Sequence, residues 1–186
     1  MLKKVETNSG MGLKICKIAS FLLVFLFYFS CQYNNKNTQT VIYEDYEEEI
    51  IAVNKEIVRR EKADIELIAR RYEWNLTKTE SGLYYQIVNQ TKGEYPQKRN
   101  KVKIQGIIML PDGKEIYNSQ TDGIKEFVVG LSEEPVGLHE LVQLMRVGEK
   151  ANAIIPSYLA YGTSGNGIDV PPLSSLVCKL ELININ

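Results

Sequence analysis

The chain has 186 residues, with 22 basic and 23 acidic side chains and a net charge of −1. Near-balance of charge excludes a strong general pull toward nucleic acid or anionic lipid, which would need a basic excess. The length suits one domain plus an appendage, and no internal repeat is visible.

The amino terminus reads as an address. Lys3, Lys4, Lys14 and Lys17 precede an apolar run from Ile18 to Phe29, interrupted only by Ser20. That is a basic region followed by an apolar one well short of the ~20 residues a membrane-spanning helix needs. Met11 is an alternative start, since Lys14 and Lys17 would still supply the basic region. Ser30-Cys31 follows directly, ahead of a polar stretch from Gln32. A cysteine there resembles the lipid-modification site of bacterial lipoproteins. An ordinary cleaved signal peptide and an uncleaved short anchor are the other readings, and all three export the chain. Removing residues 1–30 takes away four lysines and Glu6, leaving a net charge of −4 with Cys31 and Cys178 as the only cysteines. If Cys31 carries lipid, Cys178 has no disulfide partner, and the core alone must hold the domain.

Residues 31–40 are rich in Asn, Gln, Thr and Lys and read as a flexible tether. A helical extension follows over 41–73. Acidic residues crowd its start (Asp45, Glu47, Glu48, Glu49), and Arg70 and Arg71 crowd its end, both favourable to the helix dipole. Ile51, Val58, Ile65 and Tyr72 recur at steps of seven. Asn54 and Glu61 occupy positions that a coiled coil fills with apolar residues. The pattern therefore favours a helix docking one face on the following domain. A homodimer through this helix and a break near Lys62-Ala63-Asp64 stay open as alternatives.

Residues 74–186 read as a domain of short strands around one helix. Leu83, Tyr85 and Ile87 share a face of the first strand, and Thr91–Asn100 is a loop. Val102, Ile104, Ile108 and Leu110 mark a strand ending at Pro111-Asp112-Gly113. Those residues supply a fixed φ, a side-chain turn bond and a positive φ, so a hairpin follows. Ile116-Tyr117 and Phe127–Val129 are return strands around the turn-like Thr121-Asp122-Gly123. Leu138, Leu141, Val142 and Met145 then recur at helical spacing, with Gly148 where a helix C-cap would sit. Strands follow at Glu149–Pro156 and Ser175–Leu182, where Leu176, Cys178, Leu180 and Leu182 alternate with more polar positions. The order implies an antiparallel α+β fold with the helix laid across one sheet face.

Gly137-Leu138, Met145 through Lys150, Ile155-Pro156, Tyr161-Gly162, Pro171-Pro172 and Leu176–Leu182 together resemble the FKBP-type peptidyl-prolyl cis-trans isomerases. The match is closest over residues 99–186. Ser81 to Tyr85 resembles the entry segment of bacterial periplasmic members with a helical extension. The whole architecture is similar to gliding-motility-associated FKBP-type lipoproteins. The resemblance implies an FKBP-like antiparallel sheet wrapped on a short helix, with an apolar pocket between them. It places Ile104, Ile116, Tyr117, Val136, Leu138, Ile168, Val170 and Cys178 around the pocket, and Tyr161 at its rim as the hydroxyl that holds the substrate carbonyl. Ile104 stands where the family usually has tyrosine, Tyr117 where it has aspartate, and Leu138 where it has tryptophan. Lys125 replaces an apolar or aromatic residue, and Cys178 a phenylalanine.

The residues offer little other chemistry. His139 is the only histidine, without the second one a zinc helix needs, and is expected to face solvent. Gly162, Gly165 and Gly167 lack phosphate-loop spacing and suggest a flexible loop beside the pocket. Cys178, on an inward strand position, reads as a small core hydrophobe. Neither metal nor cofactor is called for, because prolyl isomerisation needs neither. The expected partners are proline-containing polypeptides, with a membrane reached through a lipid anchor at the cell envelope, facing the periplasm or the surface. The competing class is a catalytically weak FKBP-like chaperone or binding module of an envelope assembly.

Overall fold

The computed structural model describes residues 36–186, with side chains from residue 48 onward. The signal peptide expected over 1–30 and the lipidation expected at Cys31 lie outside the described residues. The elements are α1 (Lys36–Arg71), β1 (Thr77–Lys78), β2 (Tyr84–Ile87), β3 (Lys101–Met109), β4 (Glu115–Asn118), α2 (Ser119–Asp122), β5 (Lys125–Val128), α3 (Val136–Gln143), β6 (Lys150–Ile155), a 3-10 turn (Ser157–Leu159) and β7 (Leu176–Ile185). Two compact units divide at Asn54 and Lys55. The second, Lys55–Asn186, takes in the carboxy-terminal part of α1 together with the domain expected over 74–186.

The alternation read from the sequence builds one sheet in the order β1-β2-β6-β7-β3-β4, every pairing antiparallel. One edge of β3 is shared, Lys101–Ile104 pairing with β5 and Ile107–Met109 with β4. Its other edge runs along β7, with Ile108 opposite Cys178. At the β3–β4 hairpin the Leu110 N–H donates to the Lys114 carbonyl at 2.8 Å, and the Lys114 N–H donates to the Asp112 carboxylate at 2.9 Å. Gly113 takes φ 95°, as that turn requires.

One face of the sheet carries Val102, Ile104, Ile108, Ala151, Ala153, Ile155, Leu176, Cys178, Leu180 and Leu182. Helix α3 covers it with Leu138, Leu141 and Val142, joined by Met145, all fully buried. Gly137 permits the close approach, since a Cβ there would collide with the Ile155 side chain. The opposite face presents Ile107, Met109, Ile154 and Val177, and the end of α1 covers it with Ile65 and Ile68, flanked by Tyr72 and Trp74. Ile65 and Ile68 are each 3% exposed, a burial that contributes roughly 1.5–3 kcal/mol per side chain. The docking reading of the extension thus holds for the Lys55–Arg71 part of α1. Ile50, Ile51, Val53, Val58 and Leu67 are exposed.

Several local expectations change. Helix α1 begins at Lys36, inside the stretch read as tether, and runs unbroken through 62–64. Extending a formed helix fixes one residue per added hydrogen bond, so a polar lead-in joins at little cost. Its first turn therefore has no acidic residue, while Arg70 and Arg71 do occupy its last. Helix α3 stops at Gln143, where the Leu144 N–H bonds back to Glu140 and Leu141. Tightening that turn drops Met145 into the core, and Gly148, at φ 85°, serves the turn into β6 instead of a C-cap. His139 is buried instead of solvent-facing. Its Nδ1 accepts from the Gly130 N–H at 3.1 Å, its Nε2 lies 3.1 Å from the Ser132 carbonyl oxygen, and its ring meets the Phe127 ring edge-on. The 130–135 segment folds over that flank of α3 and needs a side chain with a donor and an acceptor to hold it.

Candidate active site

A cavity of about 220 Å³ opens between α3, the α3-facing side of the sheet and the loop between β6 and β7. Leu138 forms its floor with Ile108, Ile155 and Leu176, all of them buried. Ile116 and Tyr117 from β4 make one wall, and Tyr161, Ile168 and Asp169 from the β6–β7 loop make the other. Glu134 and Pro135, just ahead of α3, and Lys125 from β5 complete the rim.

Five of the nine residues expected there are brought together: Ile116, Tyr117, Leu138, Tyr161 and Ile168. The other four fall elsewhere. Ile104 and Cys178 are fully buried in the core beneath α3, and Val170 is buried behind the loop. Val136 is 66% exposed, because each helical step turns the chain by ~100°, and Pro135 instead faces the cavity. Burial without a partner charge pushes the Cys178 thiol up to about 12. It stays protonated and inert, a packing atom.

Tyr161 is half-buried. Burial, reinforced by the Glu134 and Asp169 carboxylates, pushes its hydroxyl pKa up, so it remains a protonated donor at neutral pH. Tyr117, at the family's aspartate position, is committed locally. Its hydroxyl donates to the Gly123 carbonyl at 2.8 Å and accepts from the Lys125 N–H at 3.1 Å, tying β4 to β5. The Lys125 ammonium lies 5.1 Å from the Tyr117 ring centroid and pairs with Glu134 at 2.9 Å. A cation–π contact and a partly buried ion pair thus stand where the resemblance led one to expect an apolar or aromatic residue at Lys125.

The loop is tied, not flexible as expected. Asn166 Oδ1 accepts from the N–H groups of Ile168, Asp169 and Val170 at 3.0, 3.0 and 2.8 Å. Asn166 Nδ2 donates to Asp169 Oδ1 at 2.6 Å. The Leu173 N–H donates to the Gly162 carbonyl at 2.9 Å, closing the loop at its base. Ile168 is left 90% exposed at the cavity mouth. Asn166, Asp169, Glu134 and Pro135 were not expected at the site, nor were the floor residues Ile108, Ile155 and Leu176. The Asn-Gly pair followed by an acid was the one available signal, since such asparagines bond their own backbone two residues on. Among the described residues, no group of three or more His, Cys, Asp or Glu is arranged to hold a metal ion.

Residues 92–183 match the family described as FKBP-type peptidyl-prolyl cis-trans isomerase. The chain carries an FKBP-type domain. It is 37% identical over 112 residues to the FKBP-type 22 kDa peptidyl-prolyl cis-trans isomerase of Escherichia coli, covering 58% of this chain and 52% of that protein. Outer membrane protein MIP of Legionella longbeachae is 29% identical over 124 residues, covering 67% of this chain and 53% of that one. The crystal structure of FkpA from Escherichia coli superposes with a TM-score of 0.62 at 26% identity, over 93% of this chain and 82% of FkpA. The chain spans about half the length of the curated relatives it matches. The FKBP-like fold, an antiparallel sheet wrapped on a short helix after a long amino-terminal helix, is therefore shared with this family.

Proposed function

We propose that this protein is a peptidyl-prolyl cis-trans isomerase assisting the folding of exported proteins. The observation that carries the reading is the Leu138-floored apolar cavity with the protonated Tyr161 hydroxyl at its mouth. Rotation about an X-Pro bond faces a barrier of about 18–20 kcal/mol from amide resonance. Exchange in tens of seconds needs only about 4 kcal/mol of help to reach ~10 per second. The twisted amide has lost resonance, and its carbonyl is less polar than that of the planar form. A dry apolar pocket that takes the proline ring therefore favours the twisted form over the planar one. Ile116, Leu138 and Ile155 receive the ring, while Tyr161 donates to a substrate carbonyl and holds the chain. No proton moves and no covalent bond forms.

The basic and apolar segments ahead of Ser30-Cys31 support export and a lipid anchor on Cys31 at the cell envelope. A relative that bears the name outer membrane protein supports the same compartment. Among the described residues no helix is long and apolar enough to cross a membrane. The exposed Ile50, Ile51 and Val58 of α1 support a homodimer formed through that helix.

A protease-coupled proline-peptide assay on the full chain tests the enzymatic reading. Tyr161→Phe keeps the ring and removes one neutral hydrogen bond of about 0.5–1.5 kcal/mol, so kcat/KM falls roughly two- to tenfold with little loss of stability. No acceleration by the unaltered protein would contradict the reading, and an unchanged rate in Tyr161→Phe would contradict the hydroxyl's role. Cys31→Ala is expected to release the protein from membranes or leave an unprocessed precursor. Unchanged mass and membrane retention would remove the lipid anchor. Sedimentation of the full chain is expected to give twice the monomer mass, reverting toward monomer in Ile51→Lys; a monomeric unaltered protein would exclude the dimer.

A further inference from the structure

One carboxylate on α1 reaches the loop that carries Tyr161. Glu61 Oε1 accepts a hydrogen bond from the Ser157 backbone N–H at 2.6 Å and another from the Ser175 hydroxyl at 2.7 Å. Ser157 opens the 3-10 turn after β6, and Ser175 immediately precedes β7. A single oxygen thus holds both ends of the 157–175 segment, on which Tyr161, Ile168 and Asp169 wall the cavity. Both serines are buried and Glu61 is half-buried, so these charge-assisted bonds are little screened by solvent.

The segment between the two anchors is stiff. The Asn166 side chain ties its tip, and the Leu173-to-Gly162 bond ties its base. A stiff loop moves as a piece, so the placement of its ends sets the placement of the Tyr161 hydroxyl. Ile65 and Ile68, one and two turns beyond Glu61, hold α1 against the sheet and keep the carboxylate in reach. The clamp also accounts for an acid in the apolar seam of α1.

We infer that Glu61 is a positioning residue for the proposed isomerisation, setting the Tyr161 loop from the helix ahead of the domain. The inference rests on the isomerase reading. A hydrogen-bond donor displaced by ~1 Å loses much of its effect on a bound substrate, so the extension acts on the pocket without touching the substrate.

The test uses the full chain with Glu61→Ala, Glu61→Gln and Glu56→Ala, the last removing a carboxylate that bonds Arg59 and Arg60 on its own helix. Amide hydrogen exchange over 157–175 and proline-peptide kinetics are measured where every variant is fully folded. Glu61→Ala is expected to speed exchange at Ser157 and along the loop about tenfold or more, and to lower kcat/KM roughly three- to tenfold. Glu61→Gln, which keeps an acceptor oxygen, recovers most of both, and Glu56→Ala matches the unaltered protein. A lower melting temperature with unchanged kcat/KM in Glu61→Ala reduces Glu61 to a stabilising contact and overturns the inference. Unchanged loop exchange overturns it as well. An unaltered protein without isomerase activity defeats the isomerase reading and the positioning role with it, while the exchange data still show separately whether the clamp exists.

Discussion

Strands β3, β6 and β7 carry apolar side chains on both faces, and a sheet built that way must be covered twice. Leaving Met109, Ile154 and Val177 in water would expose a contiguous apolar patch on the face away from α3. Helix α3 covers one face and the end of α1 covers the other. The rest of the domain follows from that double cover. Helix α3 has only eight residues, too few to close over the whole inner face. The uncovered corner beside Leu138 becomes the cavity, bounded by whatever loops lie nearest.

Those loops give the cavity its character. Its floor is aliphatic, and its rim carries Lys125, Glu134 and Asp169 with the Tyr161 hydroxyl among them. The family's aromatic positions at the floor and wall are taken by Leu138 and by a lysine folded over Tyr117. Apolar volume is kept by aliphatic packing and by the Tyr117 ring, while the rim charges are paired or tied, Lys125 with Glu134 and Asp169 with Asn166. An apolar pocket with few placed donors suits a reaction that needs only preferential binding of a twisted amide. A more elaborate catalytic apparatus would have no bond to make or break.

Much of this was legible in the chain. Period-two alternation in Leu176–Leu182 and the Pro111-Asp112-Gly113 turn marked strand and hairpin because burial and turn geometry are local rules. Five of the pocket residues followed from ordered motifs. The remainder depended on facts that no local pattern encodes. Val136 and Pro135 differ by one step of helical phase, and only the packing of α3 decides which one faces the cavity. His139 looked solvent-facing until the 130–135 segment folded across it. Glu61 read as a defect in an apolar seam because its partners lie 96 and 114 residues away in the chain. Asn166 looked like part of a loose glycine-rich loop, whereas its amide makes that loop one of the better-tied parts of the site.

The proposed isomerase function requires that the Leu138 cavity, and no other surface of the domain, receive a proline-containing chain. Titrating the isotope-labelled protein with a short X-Pro peptide and following backbone and methyl resonances tests it most directly. Fast-exchange shifts are expected to concentrate at Ile116, Leu138, Ile155, Tyr161 and Ile168, with the outer sheet face around Gln105, Asn152 and Lys179 silent. Shifts confined to that outer face, or none at peptide concentrations in the millimolar range, would contradict it.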